Sequence, residues 1–116
     1  MAFETALRAM RDAGALATAV VSRDGSVLAS DLPANVSRET FSIMCATIHG
    51  AGMTVSTELR RGTPRRIVLE SPEGRVVIME AGRRALLVVV LPSEANLEEA
   101  SLRLQPFADQ VAREAA

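Results

Sequence analysis

The chain has 116 residues, 48% of them hydrophobic and 23% charged, with 13 basic against 14 acidic side chains. This is the composition of one globular domain (residues 1–116) that buries about two-thirds of its unfolded surface, not of a disordered segment, and its net charge draws it to neither nucleic acid nor anionic lipid. Every basic residue is Arg, the aromatics are three Phe, and a single Cys excludes an intrachain disulfide, so base-stacking platforms are absent and a reducing cytoplasm is the expected location.

Phe3, Leu7 and Met10 recur at helical spacing and predict a first helix over Ala2–Asp12, ended by Gly14, with no signal-peptide pattern ahead of it. So short a helix is marginal alone and must dock. Residues 16–22 read as a strand, Arg23-Asp24-Gly25-Ser26 as a tight turn and residues 27–30 as the returning strand. Asp-Gly between apolar runs predicts a type I′ hairpin, in which both central residues take positive φ. Residues 31–36, with Pro33, then lead to a central helix capped by Asn35 or Ser37.

That helix, residues 37–59, organises the chain. Between Glu39 and Glu58 it carries no formal charge with His49 neutral, yet Phe41, Met44, Ile48, Ala51, Val55 and Leu59 alternate in steps of three and four. They form one apolar stripe expected to lie on a sheet. One flank offers Ile43, Thr47, Gly50 and Thr54, and Ala46, Met53 and Thr57 are expected at the back. A helix so short of charge all round is covered on more than one side, which points to cover from another protein. A membrane span is rejected, because Ser, Thr, Gly and His are scattered through the run and no basic flank marks an end.

Residues 65–70, 75–81 and 85–91 are β-runs joined by Ser71-Pro72-Glu73-Gly74 and Gly82-Arg83-Arg84. Connections this short permit only antiparallel neighbours. Residues 96–115 form a last amphipathic helix on Leu97, Leu104, Phe107 and Val111, with Pro106 expected to kink or break it near Gln105. The runs 86–91 and 76–79 are apolar without alternation, so both faces of the sheet must be covered. The expected fold class is therefore α/β of the α+β type: a three-layer α/β/α sandwich around a five-stranded antiparallel sheet. The central helix takes one face and the terminal helices the other.

The order helix, two strands, helix, three strands, helix resembles the Roadblock/LC7 family. The resemblance is carried by the hairpin from Gly14 to Ser30, the small-residue helix with Gly50-Ala51-Gly52, the hairpin around Pro72-Glu73-Gly74, and the LLVVVL strand followed by Asn96-Leu97. It implies the strand order 2-1-5-4-3 and a homodimer, or a heterodimer with a paralogous Roadblock-like chain, joined through the central helices and the third strands. It also implies regulation or scaffolding of a small Ras-like GTPase, or service as a light-chain adaptor on a motor complex.

On that implication the third strand pairs antiparallel with its own copy. For both central helices to share one side, opposed residues must have the same parity, because side chains alternate along a strand. A centre at Val68 sets Arg66 opposite Glu70 twice, with Ile67 opposite Leu69 on the other face. The expected self-contact is therefore Ile43, Thr47, Gly50 and Thr54 with Arg66, Ile67, Val68, Leu69 and Glu70. Ala46, Met53, Thr57, Arg60 and Arg61 are expected to face the partner.

Catalytic chemistry is not expected. His49 is the single histidine, and Cys45 four residues before it lacks a third ligand or an orienting acid, so no metal centre or thiol nucleophile is assigned. Without any Lys no G-x-x-x-x-G-K-[ST] loop exists, and Gly50-x-Gly52 lies inside a helix, where it serves packing. No cofactor follows. Arg60, Arg61, Arg65 and Arg66 make one basic cluster: an anion-binding or partner-docking patch, a source of a catalytic arginine acting on a bound GTPase, or a solvated strand entry ion-paired to nearby Glu. The leading reading is a non-enzymatic dimeric platform for a small GTPase. The alternative is a small-ligand sensory module, disfavoured because a small-residue helix against an apolar sheet face leaves little room for a pocket.

Overall fold

A computed structural model describing residues 2–115 resolves the layering. Its elements are α1 (Ala2–Asp12), β1 (Ala17–Ser22), β2 (Val27–Asp31), α2 (Arg38–Glu58), β3 (Arg66–Ser71), β4 (Gly74–Ala81), β5 (Ala85–Leu91) and α3 (Leu97–Ala115). The five strands form one sheet in the order β2-β1-β5-β4-β3, every neighbour antiparallel. The continuous apolar runs are explained by cover on both sides. Val20, Val77, Met79, Leu87 and Val89 pack with Leu7 and Met10 of α1 and Leu104, Ala108 and Val111 of α3. The alternate residues Ala19, Val21, Ile78, Leu86 and Val88 pack with Cys45, Phe41 and Ile48 of α2.

One local expectation changes and two open alternatives narrow. In the β1–β2 turn only Gly25 has positive φ, at +96°, so the turn is not type I′. The Gly25 amide donates to the Ser22 carbonyl at 3.0 Å, and the Ser22 amide donates to Ser26 at 2.8 Å. Neither central residue, Arg23 nor Asp24, takes positive φ, which fits a type I turn followed by a left-handed glycine. Asp24 accepts from the Ser22 hydroxyl and the Ser26 amide, bonds that hold its carboxyl below the usual range. Secondly, α2 is capped by Ser37, whose Oγ accepts from the Thr40 amide, and not by Asn35. Thirdly, α3 runs unbroken through Pro106. Pro106 and Leu102, whose carbonyl loses its partner four residues on, are both exposed, so the proline sits on the solvent side of the helix.

The larger correction concerns α2. Its sheet-facing side is Ser42, Cys45 and His49, all buried, continued by half-buried Gly52 and Ser56. This is the expected stripe moved on by one residue, a rotation of about 100°. The expected stripe itself is largely exposed: Met44 is 50% exposed, Val55 60% and Leu59 66%. Small side chains let the helix approach closely, as a Cβ added to Gly52 would stand 2.5 Å from Ile67 Cδ1 of β3.

Candidate functional site

The rotation of α2 redistributes its flanks. Thr47, Ala51, Thr54 and Glu58 form the side directed away from the sheet, and all are exposed. Ala46 and Met53, expected at the back, are instead half-buried beside the sheet, while Thr57 is exposed. Ile43 lies over the β1–β2 turn, where a Cβ on Gly25 would meet its Cα and Cγ1 at 3.2 Å. Gly50 has open space around its Cα. By helical periodicity the exposed Met44, Ala51, Val55 and Leu59 occupy the flank of α2 opposite to Ala46, Met53 and Thr57.

At β3 the sheet has an open edge. β3 pairs with β4 on one side, and among the described residues no strand lies beside the backbone amides and carbonyls of its other side. Val68 packs toward α1 and α3, and Ile67 toward α2, so Arg66 and Glu70 share the Val68 face and Leu69 shares the Ile67 face. Leu69 is 43% exposed. Leu69 and the exposed Met44, Val55 and Leu59 of α2 are apolar groups on the same side of a sheet whose β3 edge is open, the arrangement that invites a second chain.

The loop from α2 to β3 carries the arginines. Arg60 and Arg61 close α2 with two bonds: the Arg60 amide donates to the Thr57 carbonyl and the Arg61 amide to the Ser56 carbonyl, each at 2.9 Å. This is the Schellman pattern, which puts the residue after the cap in the left-handed region, normally a glycine. Here that residue is Arg60, with φ +56°. The left-handed backbone at Arg60 costs about 1 kcal/mol relative to a glycine there. Arg60, Arg61, Arg65 and Arg66 are all exposed, and the expected ion pairs to neighbouring Glu do not form among the described residues.

Cys45 and His49, four apart on α2, serve packing and anchoring. Burial in an apolar cluster pushes the Cys45 thiol up to about 11. His49 Nε2 faces Glu80 on β4, and Glu80 also accepts from Arg23. Sequence reasoning missed this polar cluster and the exposed Met44, Val55, Leu59 and Leu69. The signal was present in Ser42, Cys45, His49, Gly52 and Ser56, which repeat at the same three-and-four spacing as the apolar stripe. Among the described residues no helix is long and apolar enough to cross a membrane.

Comparison with known proteins agrees with this architecture. Residues 1–91 match the profile of the Roadblock/LC7 domain, which takes in α1 and ends with β5. Relatives include two proteins of Methanocaldococcus jannaschii, MJ0310 and MJ0714, each 30% identical. The first aligns over 92 residues (79% of this chain, 80% of that protein) and the second over 101 (87% and 85%). Among solved structures, the gliding protein MglB of Thermus thermophilus superposes with a TM-score of 0.86 at 23% identity, covering 98% of this chain and 90% of that one. MglB of Myxococcus xanthus does so with a TM-score of 0.87 at 18% identity, covering 96% and 92%. With a profile match over most of its length and relatives at 30% identity, the chain belongs to the Roadblock/LC7 domain family.

Proposed function

We propose that this protein is a non-enzymatic dimeric platform that binds a small Ras-like GTPase and modulates its nucleotide cycle or its location. The observation that carries the reading is the exposed Met44, Val55, Leu59 and Leu69 on one side of a sheet whose β3 edge is open, on a chain of the Roadblock/LC7 family. A two-fold axis normal to the sheet at Val68 pairs the two β3 strands and brings each α2 beside its mate. The flank of α2 on the axis side is then Met44, Ala51, Val55 and Leu59, and each copy covers the other's Leu69. Ile43, Thr47, Gly50 and Thr54 lie farther from that axis, and Ile67, Val68, Arg66 and Glu70 lie along it. The mate is a second copy or a paralogous Roadblock-like chain.

The two α2 helices then present Thr47, Thr54 and Thr57 outward, with Arg60 and Arg61 at the helix ends. We assign this face to the GTPase, with the strained Arg60 as its principal contact. A sensory role finds less support, because Gly52 and Ile67 close the space between α2 and the sheet where a ligand would sit. The test is light scattering on the native chain, followed by co-elution and GTP hydrolysis with a candidate Ras-like GTPase. A monodisperse monomer at micromolar concentration overturns the dimer. Metabolite binding without any GTPase effect favours the sensor.

A further inference from the structure

Opposite ends of the β3, β4 and β5 columns carry opposite charge. At one end the chain enters β3 at Arg65 and Arg66 and passes from β4 to β5 through Arg83 and Arg84. All four are exposed, and none has an ion pair among the described residues. At the other end β3 turns into β4 past Glu73, and β5 runs into α3 past Glu94, Glu98 and Glu99. These are exposed too, and no arginine pairs with them among the described residues. Of the cations at this end, Arg75 is already engaged by the Ala95 carbonyl and Glu70, and Arg11 by Asp31. Arg103 lies one turn into α3 beyond Glu99, and Arg38, at the start of α2, lies off these columns beside the end of β2. A net charge of −1 hides this separation.

The two clusters occupy the same columns. Arg65 and Arg66 stand above Glu73 along β3, and Arg83 and Arg84 stand above the β5 exit with its three glutamates. A copy moved along the strand direction therefore sets basic on acidic in each column. In the β3-paired dimer, the two-fold axis places the basic end of one protomer beside the acidic end of its mate on each long edge of the joined sheet. The same translation then matches both halves at once, and the two edges are equivalent, so the contact has no closing geometry.

We propose that dimers of this chain stack edge to edge, Arg83 and Arg84 of one against Glu94, Glu98 and Glu99 of the next, into open-ended, salt-sensitive rows. This rests on the dimer proposed above. Ionic contacts between exposed edges are screened within about 10 Å at ~0.1 M salt, so the rows form at low ionic strength and dissolve as it rises.

Sedimentation of the full chain tests this. The weight-average mass at ~10 mM salt is expected to be at least double that at ~300 mM, where dimers alone remain. Arg83→Glu with Arg84→Glu, or Glu98→Arg with Glu99→Arg, is expected to abolish the increase, and the four changes together to restore it. Circular dichroism checks that each variant is folded. Dimers at every salt concentration overturn the stacking and leave the dimer standing, whereas monomers throughout overturn both. Growth that persists in both two-residue variants also overturns it. Binding of the basic edge to vesicles containing phosphatidylserine, without growth, gives the patch to a membrane instead.

Discussion

His49 Nε2 stands 3.2 Å from Glu80 Oε2, and Arg23 Nη1 donates to the same oxygen at 3.3 Å. A carboxylate only accepts, so Nε2 carries the hydrogen in this contact. The histidine side chain is 5% exposed, which makes Glu80 the polar tie between α2 and the sheet. Glu80→Ala removes the acceptor from a buried imidazole and from Arg23 together. It is expected to cost about 1–3 kcal/mol in urea unfolding. In a double-mutant cycle with His49→Leu the two changes are expected to couple, the second costing less once the first is made. Full additivity would mean that the tie contributes nothing.

Arg60 gives a prediction of opposite sign. Arg60→Gly relieves the left-handed backbone that closes α2 and is expected to raise chain stability by about 1 kcal/mol. If Arg60 is retained for its side chain, the stabilised variant loses capture of the GTPase. A variant both more stable and fully competent in capture would remove Arg60 from the partner surface.

The interface is decided by a pair of variants. Val55 is 60% exposed, so Val55→Glu is expected to leave the lone chain's stability within about 0.5 kcal/mol. Across the two-fold axis it buries an unpaired charge, weakening the dimer by at least ~2 kcal/mol, or roughly 30-fold in Kd. Ile43→Glu, over the β1–β2 turn, is expected to leave the dimer intact. Equilibrium sedimentation giving the reverse ranking would return the interface to the Ile43, Thr47, Gly50 and Thr54 flank.

Cys45 sets an alkaline limit. Burial raises its thiol from 9.0 to about 11, so between these values the unfolded chain ionises while the folded chain stays neutral. Stability is therefore complete below pH 9 and falls as pH rises toward about 11, by up to roughly 2–3 kcal/mol. Unfolding of native and Cys45→Ala chains across that range should diverge. Parallel curves would mean that folding leaves the thiol's pKa unchanged.

Element order and layering were legible because each rests on a local signal read twice. Apolar runs without alternation demand two covered faces, and turns of a few residues demand antiparallel neighbours. The rotation of α2 was not legible in the same way. Apolar residues were assigned to the sheet because burial usually follows hydrophobicity, but here Ser42, Cys45, His49 and Gly52 take the sheet, and close approach replaces bulk. Met44, Val55 and Leu59 are left outside, and they are the side chains that the proposed dimer would cover. Of the kink or break expected at Pro106 the break does not occur, and the sequence could not decide between them, because the cost of a proline depends on what meets the freed carbonyl, a tertiary fact. Arg60 was legible as part of a cluster, but its strain was not, since the left-handed position that closes a helix is normally filled by a glycine.

The β3 register yields the sharpest test, and the structure alters its form. Arg66, Val68 and Glu70 share one face, so a Val68-centred pair sets each Arg66 against the mate's Glu70, as parity requires. Glu70, however, already has Arg75 of its own chain across the β3–β4 ladder, with 3.9 Å between the charged atoms. In the dimer each Glu70 therefore lies between two arginines, one from β4 and one from the mate. Arg66→Glu is expected to weaken the dimer without touching chain stability, because within the chain Arg66 faces Met79. Glu70→Arg should weaken both, since it also crowds Arg75. The double change restores the contact between chains but not the one within, so dimer affinity recovers relative to Glu70→Arg while chain stability does not. Cross-strand charge pairs are worth ~0.2–1 kcal/mol each, and two per dimer make the recovery about 2-fold to 30-fold in Kd. If the double variant is as weak as the sum of the singles, the strands pair in another register or not at all.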